Sequence, residues 1–196
     1  RGGLGKNWML GLESRLFFRE EDSLISAICT DGHMERFSRQ GGAWINRRGG
    51  DARYQLRTLE EGGYALIYIP GQTCYAYDDT GRLTAIHGKG NARLDIRYDE
   101  SRISQVITSA GYVLSFRYED SRIVEIRDET GRAVRYRYED GCLKAVCHVD
   151  EGVTTYHYDK ALHITQVIDQ NGHAYVTNGY DEKGRVISQH YPDGSK

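Results

Sequence analysis

"YRYEDGCLKAV", residues 136–146, has the marks of a single β-hairpin. Its first half alternates, so that Val134, Tyr136 and Tyr138 share one face of a strand while Arg135 and Arg137 share the other. An acidic turn closed by Gly141 follows, and Leu143 opens a second strand. The phrase then recurs through most of the chain. Aligned on the Tyr that ends the first strand, it returns at Tyr77, Tyr98, Tyr118, Tyr138, Tyr158 and Tyr180, at intervals of 21, 20, 20, 20 and 22 residues. A fixed period near twenty is the signature of stacked repeats.

Spacing inside the unit is tighter than the period. Five or six residues after each Tyr stands an aliphatic: Leu83, Ile103, Ile123, Leu143, Ile164 and Val186. From each aliphatic to the next Tyr the distance is 15, 15, 15, 15 and 16 residues. The one-residue variation lies in the turn. There Asp-x-x-Gly-Arg loops, carrying Gly81 and Arg82 or Gly184 and Arg185, alternate with shorter Glu-Asp-Ser and Glu-Asp-Gly loops. A second breaker sits at the middle of each unit, at Gly111, Gly131, Gly152 and Gly172, with Gly88 and Gly90 in the first. Two turns in about twenty residues leave two strands of roughly six to eight, so every unit reads as a β-hairpin.

After the turn the alternation breaks down. Ile103 and Val106, Ile123 and Ile126, and Leu143 and Val146 are three apart, which places each pair on opposite faces of an ideal strand. Either a bulge intervenes or both faces are partly covered, and the repetition favours a built-in feature. Stacking the hairpins edge to edge puts equivalent residues into columns. The Tyr column forms an apolar wall; beside it run Arg97, Arg117, Arg137 and His157, then Asp99, Glu119, Glu139 and Asp159. Diagonal pairing between neighbouring strands, at roughly 0.2–1 kcal/mol per pair, makes these a solubilising ladder. Such an array is quasi-one-dimensional, and its ends need caps.

Composition agrees. Twenty-three glycines, 15 tyrosines and only two prolines, Pro70 and Pro192, describe turns and aromatic strands, an all-β chain. A net charge of −2 supplies no global field toward nucleic acid or an anionic membrane, and no apolar run approaches the roughly 18 residues of a membrane span. Locally, Arg36, Arg39, Arg47, Arg48, Arg53 and Arg57 face a single acid, Asp51, before Glu60 and Glu61; the stretch reads as a solvated basic loop, with an anion site as the alternative. Cys29, Cys74, Cys142 and Cys147 show no metal or redox spacing and read as free thiols.

Nothing in the pattern points to catalysis. The paired acids Asp78-Asp79, Glu119-Asp120 and Glu139-Asp140 recur once per unit at a turn, where Asp bonds the backbone. His148, His157, His163 and His173 have no metal-ligand spacing, no Gly-x-Ser-x-Gly elbow exists, and GKGNAR (88–93) lacks the helix a phosphate loop requires. Neither catalytic residues, nor a metal site, nor a cofactor is expected.

The units YDDTGRL (77–83) and YDEKGRV (180–186) resemble the YD repeats of the Rhs family, which includes bacterial polymorphic toxins and shares its repeat with toxin-complex C components and teneurins. LGKNWMLGLESRL (4–16) is similar to the stretch that opens the family's repeat shell, with Asn7 in place of a glycine. The resemblance implies opening strands over 1–63 and a YD-repeat hairpin array over 64–196, together a segment of a hollow β-spiral. It further implies a non-enzymatic wall that encloses a C-terminal toxin polypeptide. The partners would be the remainder of the shell, that toxin and secretion-apparatus proteins, with export from the bacterial cell after cytoplasmic assembly. The family's self-cleaving motif contains Asp-Pro, a dipeptide absent here. The chain starts at Arg1 and stops at Lys196, just past HYPDG (190–194), which reads as the entry to a further unit, so a longer parent is expected. The rival reading is a carbohydrate- or peptide-binding module, in which several Tyr rings lie exposed together on one surface.

Overall fold

The computed structural model describes residues 2–19 and 23–192. Part of the turn expected over 191–194 therefore lies outside the described residues. Strands β1 (Arg15–Arg19), β2 (Leu24–Ile28), β3 (Met34–Gln40) and β4 (Ala43–Asn46) form an antiparallel meander in chain order. The hairpins that follow build one antiparallel sheet of 14 strands, also in chain order. It opens with β5 (Tyr54–Thr58), β6 (Tyr64–Tyr68), β7 (Thr73–Tyr77), β8 (Leu83–His87), β9 (Arg93–Asp99) and β10 (Arg102–Thr108). It continues through β11 (Val113–Glu119), β12 (Arg122–Asp128), β13 (Ala133–Glu139) and β14 (Cys142–Cys147). Strands β15 (Val153–Tyr158), β16 (Ile164–Ile168), β17 (Ala174–Tyr180) and β18 (Val186–His190) complete it. The fold is thus all-β, stacked antiparallel hairpins.

The chain divides into two compact units, Leu10–Ser115 and a second made of Arg1–Met9 with Phe116–Lys196. The expected boundary at 63/64 falls between β5 and β6, within the first unit. In that unit the four-stranded meander packs on the first hairpins. Leu16 N–H donates to the Gly81 carbonyl (2.9 Å), and the rings of Phe18 and Tyr64 meet at 5.1 Å. Leu16, Ile25, Phe37, Leu66, Tyr77 and Leu83 are fully or almost fully buried there. The second unit has a thinner core centred on Ile123 and Leu143.

Five hairpins, β7–β8, β9–β10, β13–β14, β15–β16 and β17–β18, carry a bulge at the same place. Tyr138 pairs with Leu143 but Arg137 with Ala145, leaving Lys144 without a partner; Thr84, Ser104, Thr165 and Ile187 occupy the same position in their hairpins. One extra residue restores both members of a three-apart pair to the same face, and Ile103 with Val106 and Leu143 with Val146 are all buried.

Turn length follows the loop types. Glu139 pairs directly with Cys142 across Asp140-Gly141, whereas Asp78–Arg82 and Asp181–Arg185 close five-residue turns with positive φ at Gly81 (81°) and Gly184 (74°). In the β15–β16 turn Leu162 takes the glycine's place at φ 68°, where an L side chain costs roughly 1–2 kcal/mol. Leu162→Gly is therefore expected to stabilise the protein by about 1 kcal/mol, net of the glycine's extra unfolded-state freedom, measured by urea unfolding. An unchanged or lower midpoint would refute the strain.

Candidate functional site

The feature repeated most faithfully is a bond between hairpins. Tyr98, Tyr138, Tyr158 and Tyr180 donate their hydroxyls to the carbonyls of Leu83, Ile123, Leu143 and Ile164 at 2.8, 2.6, 2.6 and 2.7 Å. Local pairing explains why. Between β14 and β15 the ladder begins at Ala145, just beyond the bulge, so the Leu143 carbonyl has no strand partner there. Ladders between β8 and β9, and between β16 and β17, likewise begin at Ala85 and Gln166. Hairpins part at their turn ends, and the next repeat's Tyr spans the opening. Burial raises the phenol pKa of Tyr98 to about 12, against the opposing pull of Arg82, so the hydroxyl stays a donor.

A residue from the preceding turn covers three of these rings. Arg82 lies over Tyr98 (5.0 Å), Arg122 over Tyr138 (5.6 Å), and the His163 ring stacks on Tyr180 (4.7 Å). The first Tyr of the array has no earlier bulge to reach. Tyr77 is 2% exposed, and its hydroxyl meets Ser14 Oγ at 2.7 Å, while Ser14 donates its single proton to the Ile28 carbonyl. Tyr77 is consequently the donor of that pair, and the N-terminal meander substitutes for a preceding repeat. Removing one such donor strands a half-buried carbonyl. Tyr138→Phe is expected to cost about 1–2 kcal/mol by denaturant unfolding, and the exposed Tyr112→Phe nothing measurable.

The remaining sequence candidates are distributed over strands and turns. Tyr118 is half-buried on β11 and Ile103 is buried on β10. Val186, 56% exposed, lies on the edge strand β18. Arg185 Nε donates to Asp181 Oδ2 (2.7 Å), as Arg82 Nε does to Asp78 Oδ2 (2.9 Å). These acids are turn caps: Asp78 Oδ1 accepts from the backbone N–H of Thr80 and Arg82, and Asp128 Oδ1 from Thr130 and Arg132, all at 2.9–3.0 Å. The Thr130 hydroxyl above all, with the Arg132 side chain and both backbone donors, holds the Asp128 carboxyl down to about 2 despite some desolvation. A folded-state pKa below the unfolded value near 4 gives stability that is complete above about pH 4 and lost as pH falls toward 2. Acid titration of the wild type should show that decline, and Asp128→Asn should flatten part of it.

The histidines do not converge. His148 Nε2 contacts Thr154 Oγ1 (2.8 Å), His163 and His173 face Asp159 and Asp169 within their own turns, and among the described residues no group of His, Cys, Asp and Glu could hold a metal. All four cysteines are free, with Cys29 raised to about 12 mainly by burial. In the charge columns Arg117 bonds Glu119 two residues on along its own strand (2.7 Å); this contact runs along the strand, not diagonally to a neighbour.

Two arrangements escaped the repeat pattern. Residues 2–8 form no strand in either sheet. They cross the turns of three successive hairpins as a strap. Gly3 accepts from Ile123 N–H (2.7 Å), Lys6 N–H donates to Gly141 (3.1 Å), and Asn7 donates to the Leu162 carbonyl (3.2 Å). Trp8 Nε1 donates to Tyr158 OH (2.9 Å), and its ring meets Tyr156 edge-on at 5.0 Å. The other is a polar cluster on the meander: Asp31 and His33 are bonded, His33 reaches Glu35 (3.2 Å), and Glu35, 3% exposed, also accepts from Asn46 (3.1 Å) and pairs with Arg48 (3.4 Å). Its trace in the sequence is DGHME (31–35), acid, His and acid spaced two apart at the entry to β3.

No family model and no curated protein matches the chain. Solved structures do. A crystal structure of TcdB2-TccC3-Cdc42 aligns over 89% of this chain and 12% of its own, at 13% identity and TM-score 0.42. The Tc holotoxin pore of Photorhabdus luminescens, carrying a TccC3 mutation, aligns over 88% and 11%, at 13% identity and TM-score 0.43. The chain spans less than an eighth of the length of either one.

Proposed function

We propose that this chain is a structural wall segment of an Rhs-type YD-repeat shell, enclosing a C-terminal toxin polypeptide for delivery from a bacterial cell. Residues 1–63 serve as its opening and 64–196 as its repeat array. The observation that carries the reading is the Tyr-to-carbonyl bond between successive hairpins. It consumes the hydroxyl and shields the ring of the residue that defines the repeat, so Tyr77, Tyr98, Tyr138, Tyr158 and Tyr180 act in cohesion. Of 15 tyrosines only Tyr112, Tyr175 and Tyr191 are exposed, and they stand on separate elements, which disfavours a Tyr-lined ligand surface. Among the described residues no helix is long and apolar enough to cross a membrane.

The mechanism is enclosure: strands paired on both sides present few free edges, and a continuous wall separates cargo from proteases. Expressing the parent protein with and without residues 1–196 tests it. Limited proteolysis should leave the C-terminal polypeptide intact in the first case and degrade it in the second. Equal protection in both would end the shell reading.

A further inference from the structure

The polar cluster on the meander asks for more protons than a neutral histidine carries. Both ring nitrogens of His33 face carboxylate oxygens: Nδ1 meets Asp31 Oδ1, and Nε2 meets Glu35 Oε1 at 3.2 Å. An ionised carboxylate only accepts, and a neutral imidazole has one donor, so a neutral ring would set one nitrogen lone pair against an oxygen. His163 differs. Only its Nδ1 meets an acid, Asp159 Oδ2 (3.0 Å), and a neutral ring serves that contact by donation.

Neither acid beside His33 is placed to carry the second proton. Glu35, 3% exposed, accepts from Asn46 Nδ2 on Oε2 (3.1 Å) and faces Arg48 Nε with Oε1 (3.4 Å), so both of its oxygens already serve as acceptors. Desolvation works against Asp31, yet bonds from the His33 ring and backbone N–H hold its carboxyl below the usual range.

The cluster also joins strands within the Leu10–Ser115 unit. Asn46 Nδ2 donates both to Glu35 Oε2 and to the Tyr54 carbonyl (3.1 Å each), which ties β3 through β4 to β5. His33 closes the β2–β3 turn, where its carbonyl accepts from Cys29 N–H (2.9 Å), and its ring lies 5.2 Å from that of Tyr54. The titratable and charged groups around the ring are thus Asp31 and Glu35 on its own segment, Cys29 after β2, Arg48 after β4, Tyr54 on β5 and, behind Tyr54, Tyr68 on β6. Burial above all raises the Cys29 thiol to about 12 and moves the Tyr54 phenol upward as well, so neither changes charge near neutrality. Arg48 is a permanent cation.

We propose that His33 is a proton-dependent latch: with both ring nitrogens protonated it bonds Asp31 and Glu35 at once and fastens the β2–β3 turn to the Glu35–Asn46–Tyr54 link. On losing a proton it releases one acid, and the meander loosens from the first hairpin. The closed site binds a proton that the opened one sheds, so the latch weakens as pH rises. It uses no residue of the Tyr column and therefore stands or falls apart from the enclosure reading.

Amide hydrogen exchange on the 196-residue chain tests this at pH 5.5 and 8.5, which bracket the range where an imidazole changes charge. Corrected for the intrinsic rate at each pH, protection of the β2–β3 turn and of β4 should fall about tenfold between them, while β12 and β13 keep theirs. Asp31→Asn supplies a side-chain N–H to the nitrogen that a neutral ring leaves as an acceptor. Its protection should accordingly be nearly equal at the two pH values and no lower than that of the wild type at pH 8.5. His33→Gln, which has no proton to lose, should be equally flat. Protection of the wild-type turn that is independent of pH, or a tenfold fall that survives in either variant, would overturn the proposal. The wild-type profile and Asp31→Asn keep the result decisive if His33→Gln fails to fold.

Discussion

Gly81→Ala is expected to destabilise the protein by about 3 kcal/mol or more, in contrast to about 1–2 kcal/mol for Gly131→Ala. Both glycines stand in Asp-x-x-Gly-Arg turns, at φ 81° and 91°, so the strain of placing an L side chain there is common to both. What differs is the surroundings. A Cβ on Gly131 meets nothing within 4 Å, whereas one on Gly81 would sit 2.3 Å from the Leu16 carbonyl oxygen, a backbone atom of β1. Leu16 is also the strand's link to this turn, through its N–H to the Gly81 carbonyl (2.9 Å). Relief of the overlap would move β1 off the array and open the core around Leu16 and Tyr77, both at most 2% exposed. Chemical unfolding of the two variants side by side isolates that packing contribution from the shared backbone strain. Equal losses would mean that the meander is not held at this turn.

Leu143→Ala carries the second large effect, a loss of about 2–5 kcal/mol. Leu143 is 1% exposed, and its carbonyl also accepts the Tyr158 hydroxyl, so the cavity weakens the contact to the next hairpin as well as its own. In a repeat array, coupling runs between nearest neighbours. Hydrogen exchange should accordingly rise in β13–β16 and remain near wild type in β1–β4. Uniform acceleration across the whole chain would show a single cooperative unit instead.

Much of this architecture is legible in the sequence because repetition amplifies local signals. The 15-residue step from Leu83 to Tyr98, or from Leu143 to Tyr158, is the separation of acceptor and donor in one recurring bond. The three-residue step from Leu143 to Val146 marks the bulge. The six arginines of 36–57 are legible as a basic stretch, but not their spread over β3, β5 and the link between β4 and β5, because that depends on where the chain folds back.

The strap was not legible at all. LGKNWML (4–10) has neither strand alternation nor helical period, and its partners lie 134 to 155 positions away. The charge columns differ for a simpler reason. On one strand, residues two apart already lie within reach, and Arg117 with Glu119 satisfies itself before any diagonal neighbour is met.

That strap also has a bearing on how the chain is made. Its residues are synthesised before the turns it crosses, around Ile123, Gly141 and Leu162, which follow well over a hundred codons later. The segment must wait undocked while the intervening unit, Leu10–Ser115, folds ahead of its destination. Closure is thus a late event with a very long loop to bring together, because the strap is synthesised so far ahead of the turns that receive it.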